Sequence, residues 1–256
     1  MIAAVSYGEL SAMMPNAGGQ YVYLKEAYNK LIAFLFGWSF FAVIQTGTIA
    51  AVGVGFSKFA AYLIPSLSDE NILLDLGAFQ LNAAQIVSII TIVFLTYLNS
   101  RGVKDSKTLQ TVLTIIKILS LFGLIVFGFI LAAKAEVWDV NWTDVWETKS
   151  YNLDTKQWTP IAGTALLAGI SAAMVGSLFS SDAWNGVTFI AAELKNPKRN
   201  VGLSLFLGTF IVTIIYVLTN LMYLAVIPLE EIATAKSDRV AVVASQYTFG
   251  EYGTVI

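Results

Sequence analysis

The sequence predicts an all-α membrane protein with about six to seven transmembrane helices, one of them broken near the midplane of the bilayer. Hydrophobic residues make up 57% of the 256 residues, and charged residues make up only 12%. A soluble domain carries about 25% charged residues. The apolar residues form long runs, and the run from 160 to 192 is interrupted by a glycine and then by three polar residues in a row.

Composition also excludes several classes of function. The chain has no cysteine and no histidine, which removes disulfides, thiolate metal sites and the commonest acid–base catalyst. The net charge of −2 is weak, and no basic cluster indicates nucleic acid. We therefore expect no catalytic residue, no metal site and no cofactor, and the protein is not predicted to be an enzyme.

The spans follow from the lengths of the apolar runs. The first run is too short to cross a bilayer, whereas the second is long enough and contains small residues that suit close helix packing. The run before Leu98 is short, so its span is extended back to Phe79. The predicted spans are 1–12 (partial), 31–57, 79–98, 108–133, 160–192 (broken), 201–227 and 240–256 (partial).

The run from 160 to 192 is too long for one straight span. Its 33 residues would form a helix about 50 Å long, against a hydrocarbon core of about 30 Å. Asp182 lies far from both ends of the run, where an ionised group is costly in lipid. A broken span exposes carbonyl and N–H groups that many transporters use to bind a small charged solute. Asp182 is also predicted to act in part as the N-cap of a second half-helix.

The basic residues predict an orientation. The loops at 13–30, 99–107 and 193–200 carry eight lysines and arginines. The alternate loops at 58–82, 134–159 and 228–239 carry fewer in a greater total length, together with most of the acidic residues. By the positive-inside rule the first set is predicted to be cytoplasmic.

The loop at 135–158 contains Trp138, Trp142 and Trp146, spaced four residues apart, and then Trp158. On a helix the first three would share one stripe. Tryptophan favours the membrane interface, so an anchor on the outer leaflet is the preferred interpretation. A lid over the substrate path is the alternative.

Several separated motifs carry a family resemblance. They are Tyr7-Gly-Glu-Leu10, Pro15-x-x-Gly-Gly-x-Tyr21, Phe179-Ser-Ser-Asp-Ala-Trp-Asn185 and Glu193-Leu-Lys-Asn-Pro-Lys-Arg-Asn200. In this order they resemble amino acid permeases, specifically the L-type amino acid transporter branch of the amino acid–polyamine–organocation superfamily. The resemblance implies an inverted-repeat transporter fold. It further implies that residues 1–256 form a single transmembrane domain, a fragment of a larger permease that runs from part of the second helix into the eighth.

The resemblance also implies the substrate site. Phe179 would be the aromatic gate, while Trp184 and Asn185 would shape the pocket wall. The family commonly has tyrosine at position 181 and a glycine pair at 182–183, so Ser181 and Asp182 leave the substrate preference open. The predicted substrate-binding residues are Gly176, Phe179, Ser180, Ser181, Asp182, Trp184, Asn185 and Thr48.

Lys117 is the predicted coupling residue. It lies ten residues from Lys107, about 15 Å into a helical span and close to its middle. A lysine facing lipid at that depth is costly, although a snorkelling side chain is the alternative. In permeases that the chain resembles, a lysine here occupies the region where sodium-coupled relatives bind an ion. Proton coupling and sodium-independent exchange both stay open.

The expected function is secondary active transport of amino acids by alternating access, as sodium-independent symport or exchange. The expected partners are a small-molecule amino acid and the lipid bilayer of the cell membrane, which the chain crosses several times; a partner subunit is not identified. One alternative is transport of polyamines or other organic cations with Asp182 as counter-ion. Another is a truncated membrane fragment without transport activity. A channel or a membrane enzyme is disfavoured, because one broken span supplies neither ion-binding rings nor a carboxylate pair.

Overall fold

The computed structural model describes residues 1–75, 77, 80–100, 103–236 and 239–254. The predicted start of a span at Phe79, the loop residues 101–102 and the last two residues of the predicted final span lie outside this part of the chain. The α-helices of the described residues are α1 (Ile2–Met13), α2 (Gln20–Ala27), α3 (Lys30–Ser39), α4 (Thr46–Leu63), α5 (Ala83–Ser100), α6 (Val103–Phe127), α7 (Ala135–Trp142), α8 (Thr164–Ser180), α9 (Pro197–Val226), α10 (Leu229–Ala233) and α11 (Val240–Phe249).

Four of the described helices are long and apolar enough to cross a membrane. They are Lys30–Leu63, Ala83–Ser100, Lys107–Ala132 and Pro197–Val226. The prediction of a mostly helical protein with membrane-spanning helices is therefore supported, and each of the four helices overlaps one predicted span. The backward extension of the span 79–98 is wrong for Gln80–Asn82, because these residues form a strand and the helix begins at Ala83. The larger number of spans and the inverted repeat stay predictions.

Two of these helices contain short π-helical segments. Residues Phe40–Gln45 join α3 to α4, and Gly128–Ala132 extends α6. Just after the first segment, the Thr46 hydroxyl donates to the carbonyl of Phe41, five residues back, at 2.8 Å. Wider turns of this kind are uncommon and concentrate at functional sites.

Local sequence explains where two of the long helices begin. The Asn29 side chain accepts hydrogen bonds from the backbone N–H groups of Leu31 and Ile32, each at 3.0 Å, and so caps α3. Asn196 has a left-handed backbone with φ of 49°, and Pro197 follows it at the first position of α9. The chain therefore turns sharply just before its longest α-helix.

The chain divides into two compact units. The first comprises Met1–Phe34 and Leu124–Phe249. In it α1 packs along α9 so closely that a β-carbon on Gly8 would lie 3.1 Å from the Gly202 Cα. Ala4, Val201 and Leu205 are buried at this contact. Glycine allows the two backbones to approach.

A second core of the first unit surrounds the last turn of α9. Ala132, Met222, Val226, Ile227 and Ala244 are buried together there. A β-carbon on Gly128 would lie 2.7 Å from both the Cγ and the Sδ of Met222. This region is therefore packed without spare room.

The same core contains an asparagine clamp, formed by the buried side chain of Asn141 in α7. Its amide nitrogen donates to the carbonyls of Leu224 and Ile227, each at 2.8 Å. Its amide oxygen accepts from the backbone N–H of Leu229 at 3.0 Å. One side chain thus satisfies three backbone groups where Pro228 interrupts the helical hydrogen bonds between α9 and α10.

The second unit comprises Leu35–Gly123 and Gly250–Ile256. Within it α4 packs against α5, with the Ser57 and Ser88 hydroxyls buried and 2.7 Å apart. A β-carbon on Gly53 would lie 3.3 Å from the Ser88 Cβ. Close packing of small residues is typical of helices in membranes.

Two polar connections contain more structure than the sequence indicated. β1 (Ile72–Asp75) and β2 (Gln80–Asn82) form an antiparallel hairpin. β3 (Lys149–Asn152) and β4 (Gln157–Pro160) form another, after α7. The Trp138 and Trp142 rings are 5.3 Å apart on α7. Trp146 lies beyond the end of that helix and is 96% exposed, so the tryptophan stripe has two members rather than three.

Candidate functional site

The apolar run from 160 to 192 does not form one helix. α8 ends at Ser180 after 17 residues, about 26 Å of helix. Ala183 then has a positive φ of 61°, and a 3₁₀ segment follows at Gly186–Glu193. The interruption falls at the polar residues that the sequence singled out. Its depth in a membrane stays a prediction.

The N-cap expectation for Asp182 is wrong. Asn185 occupies the N-cap of the 3₁₀ segment, and its side chain makes no capping hydrogen bond. The carbonyl of Asn185 instead accepts from the Thr188 hydroxyl at 2.8 Å. Asp182 lies in the turn before this position because the positive φ of Ala183 delays the start of the next helical segment. Its carboxylate is therefore exposed rather than used by the backbone.

A cavity of about 540 Å³ opens beside this turn. It lies between the start of α1, the turn after α8 and the middle of α9. The lining residues are Met1, Ala3, Ala4, Ser180, Ser181, Asp182, Ala183, Trp184, Ser204, Gly208, Thr209, Val212, Thr213 and Tyr216. Among these described lining residues Asp182 carries the one charged side chain, while most of the other polar groups are hydroxyls.

The cavity brings together half of the predicted substrate-binding residues. Ser180, Ser181, Asp182 and Trp184 line it. Phe179 is 48% exposed, and beyond the adjoining residues and helix backbone no atom lies within 4 Å of a β-carbon built on Gly176. These two residues and Asn185 are not among the lining residues.

The other predicted residues belong to the second unit. Thr48 is partly buried in α4, and Lys117 lies on an exposed face of α6. The roles of these two residues stay predictions. No cluster of acidic residues that could hold a metal ion is found in the part of the chain that the structure describes.

One face of α9 contributes lining residues that the sequence analysis missed. Ser204, Thr209, Thr213 and Tyr216 place hydroxyl groups along the cavity. Thr209 and Thr213 also donate to backbone carbonyls of their own helix. The sequence signal that could have identified these residues was the recurrence of hydroxyl side chains at helical spacing through an apolar run. Such residues more often bond within or between helices, which hides a site of this kind.

The segments that contain the first two motifs contact the turn after α8 and the following 3₁₀ segment, on the side away from the cavity. The Trp184 ring meets the Tyr7 ring edge to face at 5.0 Å. The Gln20 side chain donates to the Tyr7 hydroxyl. The Gly18 N–H donates to the Phe189 carbonyl at 3.1 Å. Trp184 is therefore fixed by an aromatic contact on one side and lines the cavity on the other.

Tyr23 completes this aromatic cluster. Its ring lies 6.0 Å from that of Tyr7 and is nearly perpendicular to it. Burial raises the pKa of the Tyr23 hydroxyl above its ordinary value, and the neighbouring Tyr7 adds to that effect. Tyr23 therefore stays neutral at physiological pH.

Several backbone carbonyls at the end of α8 already accept hydrogen bonds within the protein. The Ser177 carbonyl accepts from the N–H and hydroxyl of Ser181. The Phe179 carbonyl accepts from the Asp182 N–H at 3.2 Å. The Ser180 carbonyl accepts from the Tyr216 hydroxyl of α9 at 2.8 Å. The last carbonyl before the turn is thus bonded by another helix and adjoins the cavity.

Comparison with known proteins places this geometry in context. The sequence profile of the family described as amino acid permease matches residues 1–256. Human (Homo sapiens) b(0,+)-type amino acid transporter 1 is 28% identical over 274 residues, which cover 98% of this chain and 45% of the relative. Mouse (Mus musculus) Asc-type amino acid transporter 1 is 24% identical over 251 residues, covering 98% of this chain and 42% of the relative.

A third relative has a different substrate in its name. The human (Homo sapiens) cystine/glutamate transporter is 24% identical over 256 residues, covering 100% of this chain and 46% of the relative. The chain thus spans about half the length of the curated relatives it matches.

Proposed function

Because the chain belongs to the amino acid permease family, we propose that it serves in secondary active transport of amino acids across the cell membrane. Transport proceeds by alternating access, as sodium-independent symport or exchange. Residues 1–256 act as one transmembrane domain of a larger permease with an inverted-repeat fold. The relatives support the amino acid substrate, since each is named as a transporter of amino acids or of cystine and glutamate.

The interrupted end of α8 beside the cavity is the observation that carries this proposal. The C-terminal end of a helix is the negative end of its dipole. Ser180, at that end, lines the cavity with Asp182 close by. A substrate ammonium group is the complementary ligand for carbonyl and carboxylate oxygens.

The other predicted residues take further roles in transport. Phe179 closes over the bound substrate, and Trp184 and Asn185 shape the wall. Gly176 gives the first half-helix freedom to approach the substrate, and Thr48 is a further contact. Lys117 couples transport to a proton or to the counter-substrate.

Asp182 supports a second candidate function, the transport of organic cations such as polyamines. Its side chain is the one charged group among the described residues that line the cavity. An unshielded carboxylate favours a substrate with a positive charge beyond its α-amino group. The two candidates differ in whether Asp182 is essential for every substrate or only for cationic ones.

Uptake into vesicles that contain the full-length protein tests the function directly. We expect saturable uptake of labelled leucine from both sodium and potassium buffers. A signal that appears only with putrescine favours the organic-cation candidate. No saturable uptake of either compound would contradict both candidates.

Asp182→Asn separates the two substrate classes in the same assay. If Asp182 is a counter-ion, this variant loses lysine and putrescine uptake about 10-fold or more, because an ionic hydrogen bond becomes a neutral one. Leucine uptake then stays within about 3-fold of the unmodified protein. Asp154→Asn, which changes an exposed acid in the turn between β3 and β4, is the matched control.

Lys117→Met tests the coupling role. Met keeps much of the side-chain length but not the charge, so transport is expected to fall strongly while membrane insertion is retained. Lys107→Met removes a charge ten residues earlier on α6 and should leave uptake near normal. Equal activity of the two variants would show that Lys117 only snorkels to an interface.

A further inference from the structure

We infer that Tyr216 is a positioning residue of the substrate site, which aims the Ser180 carbonyl at a bound ammonium group. The inference rests on the proposed function and concerns the same cavity. Its basis is the 2.8 Å hydrogen bond from the Tyr216 hydroxyl to the Ser180 carbonyl, which joins α9 to the end of α8.

The Ser180 carbonyl differs from the carbonyls just before it. Those of Ser177, Leu178 and Phe179 accept hydrogen bonds from the N–H groups of Ser181 and Asp182 within the same turn. Local chain geometry therefore fixes their directions. The direction of the Ser180 carbonyl depends instead on a side chain that is 36 residues away in sequence.

Tyr216 is suited to hold that direction. It projects from α9, which is itself held firmly in the first unit. Helix α9 packs against α1, and its last turns contribute Met222 to a buried core. A phenol has only two side-chain torsions to restrict, so it orients a partner at a low cost in entropy. A carbonyl oxygen has two lone pairs. With one held by Tyr216, the other remains for a ligand in the cavity that both residues line.

Loss of the hydroxyl would leave the Ser180 peptide free to rotate. Within a membrane an unpaired carbonyl is costly, so the turn would shift until the carbonyl found another donor. The effect on a substrate would then be confined to the group that meets this carbonyl. Tyr216→Phe should accordingly weaken recognition of the ammonium group and leave recognition of the rest of the substrate unchanged.

A comparison of two ligands on two variants tests this inference. The probes are L-leucine and L-2-hydroxy-4-methylpentanoate, which carries a hydroxyl in place of the ammonium group. Equilibrium binding is measured on the unmodified full-length protein, on Tyr216→Phe and on Tyr223→Phe. Tyr223 lies two turns further along α9 and is not among the described cavity residues, so it is the matched control.

For Tyr216→Phe we expect leucine affinity to fall about 3- to 10-fold, the usual worth of one hydrogen bond. Affinity for the hydroxy acid should change by less than about 2-fold, because a neutral hydroxyl depends less on an aimed carbonyl. Tyr223→Phe should preserve the ratio of the two affinities. If Tyr216 only stabilised the fold, Tyr216→Phe would lower the affinities for both ligands equally, and that result would overturn the inference.

A second measurement covers the case in which Tyr216→Phe purifies poorly. Ser181→Cys introduces a thiol into residues 1–256, which have no cysteine, and the same protein with Ser181 unchanged gives the background of labelling. Its reaction with a water-soluble maleimide in membranes should be faster with Tyr216→Phe than with Tyr223→Phe. Equal rates would overturn the inference. Absence of leucine binding by the unmodified protein would instead overturn the proposed function, so the two failures are distinguishable.

Discussion

The ends of α8 and α9 are both interruptions of apolar helices, yet their backbone groups are satisfied in different ways. At the end of α9, the buried Asn141 side chain bonds two carbonyls and one N–H group. At the end of α8, the turn bonds its own carbonyls and Tyr216 bonds the last one. The first interruption is buried in a core, and the second opens into a cavity.

This difference indicates where the chain can adapt to a ligand. Breaking any hydrogen bond of the asparagine clamp would leave a buried polar group unpaired, which is costly. The end of α9 is therefore rigid. The residues at the end of α8 are exposed, so alternative partners can take their place at a small cost. Substrate recognition belongs at such an end, whereas the clamped end serves as a support.

The largest effect is expected from Asn141→Leu, which removes the clamp while keeping an apolar side chain of similar size. Three backbone groups would lose their partner, and each buried loss costs about 1–3 kcal/mol. We expect the free energy of unfolding to fall by about 3 kcal/mol or more. Denaturation by SDS in mixed micelles, followed by circular dichroism, measures this change.

Asn141→Asp is the informative companion variant. An ionised carboxylate would face the carbonyls of Leu224 and Ile227 without a donor, so at neutral pH its loss should be at least as large as that of Asn141→Leu. A carboxyl protonated at low pH keeps the acceptor for the Leu229 N–H and regains one donor, so the loss should then be smaller. A change of less than about 1 kcal/mol in Asn141→Leu would contradict the view of the α9 end as a rigid support.

A smaller loss is expected from Gly128→Ala. The added methyl group would lie 2.7 Å from the Cγ and Sδ atoms of the fully buried Met222. Overpacking of this kind costs about 1–3 kcal/mol, measured by the same denaturation. Gly128→Ala combined with Met222→Ala should lose less stability than the sum of the two single variants, because the side chain that blocks the methyl group is then gone.

The smallest effect, with the opposite sign, is expected from Gly176→Ala near the end of α8. Beyond the adjoining residues and helix backbone, no atom lies within 4 Å of the new methyl group, and alanine favours helix over glycine by about 0.5–1 kcal/mol. The free energy of unfolding should rise by that amount or stay unchanged. A loss as large as that of Gly128→Ala would show that this face of α8 is tightly covered in the membrane.

Apolar length was sufficient to predict the long helices. The predicted span 31–57 falls within Lys30–Leu63. The spans 108–133 and 201–227 fall within Lys107–Ala132 and Pro197–Val226 except for one residue at the C-terminal end of each. The interruption near Ser181 was also predictable, because glycine and consecutive polar residues are unfavourable within an apolar helix. Both conclusions depend only on local composition.

Other features depend on contacts between distant residues. The clamp joins Asn141 to residues more than 80 positions away, and an asparagine in a polar loop gives no sign of that pairing. Asp182 was expected to be an N-cap because of its intrinsic preference. The left-handed conformation of Ala183 moved that position to Asn185. The hydroxyl face of α9 became recognisable as a cavity wall only once α1 and the turn lay beside it.

The π-helical segment at Phe40–Gln45 sets the rotational phase of the long helix that contains it. Such a segment accommodates one residue more than an α-helix of the same rise, and each residue of an α-helix turns by about 100°. If these six residues formed α-helical hydrogen bonds instead, the extra residue would rotate residues 35–39 by about 100° relative to Gly53 and Ser57, which pack on α5. The helix would lengthen by only about 1.5 Å, but the side chains of that stretch would face a new direction. In this helix, the hydrogen-bonding pattern of one short segment is as much a determinant of the protein surface as the identity of its residues.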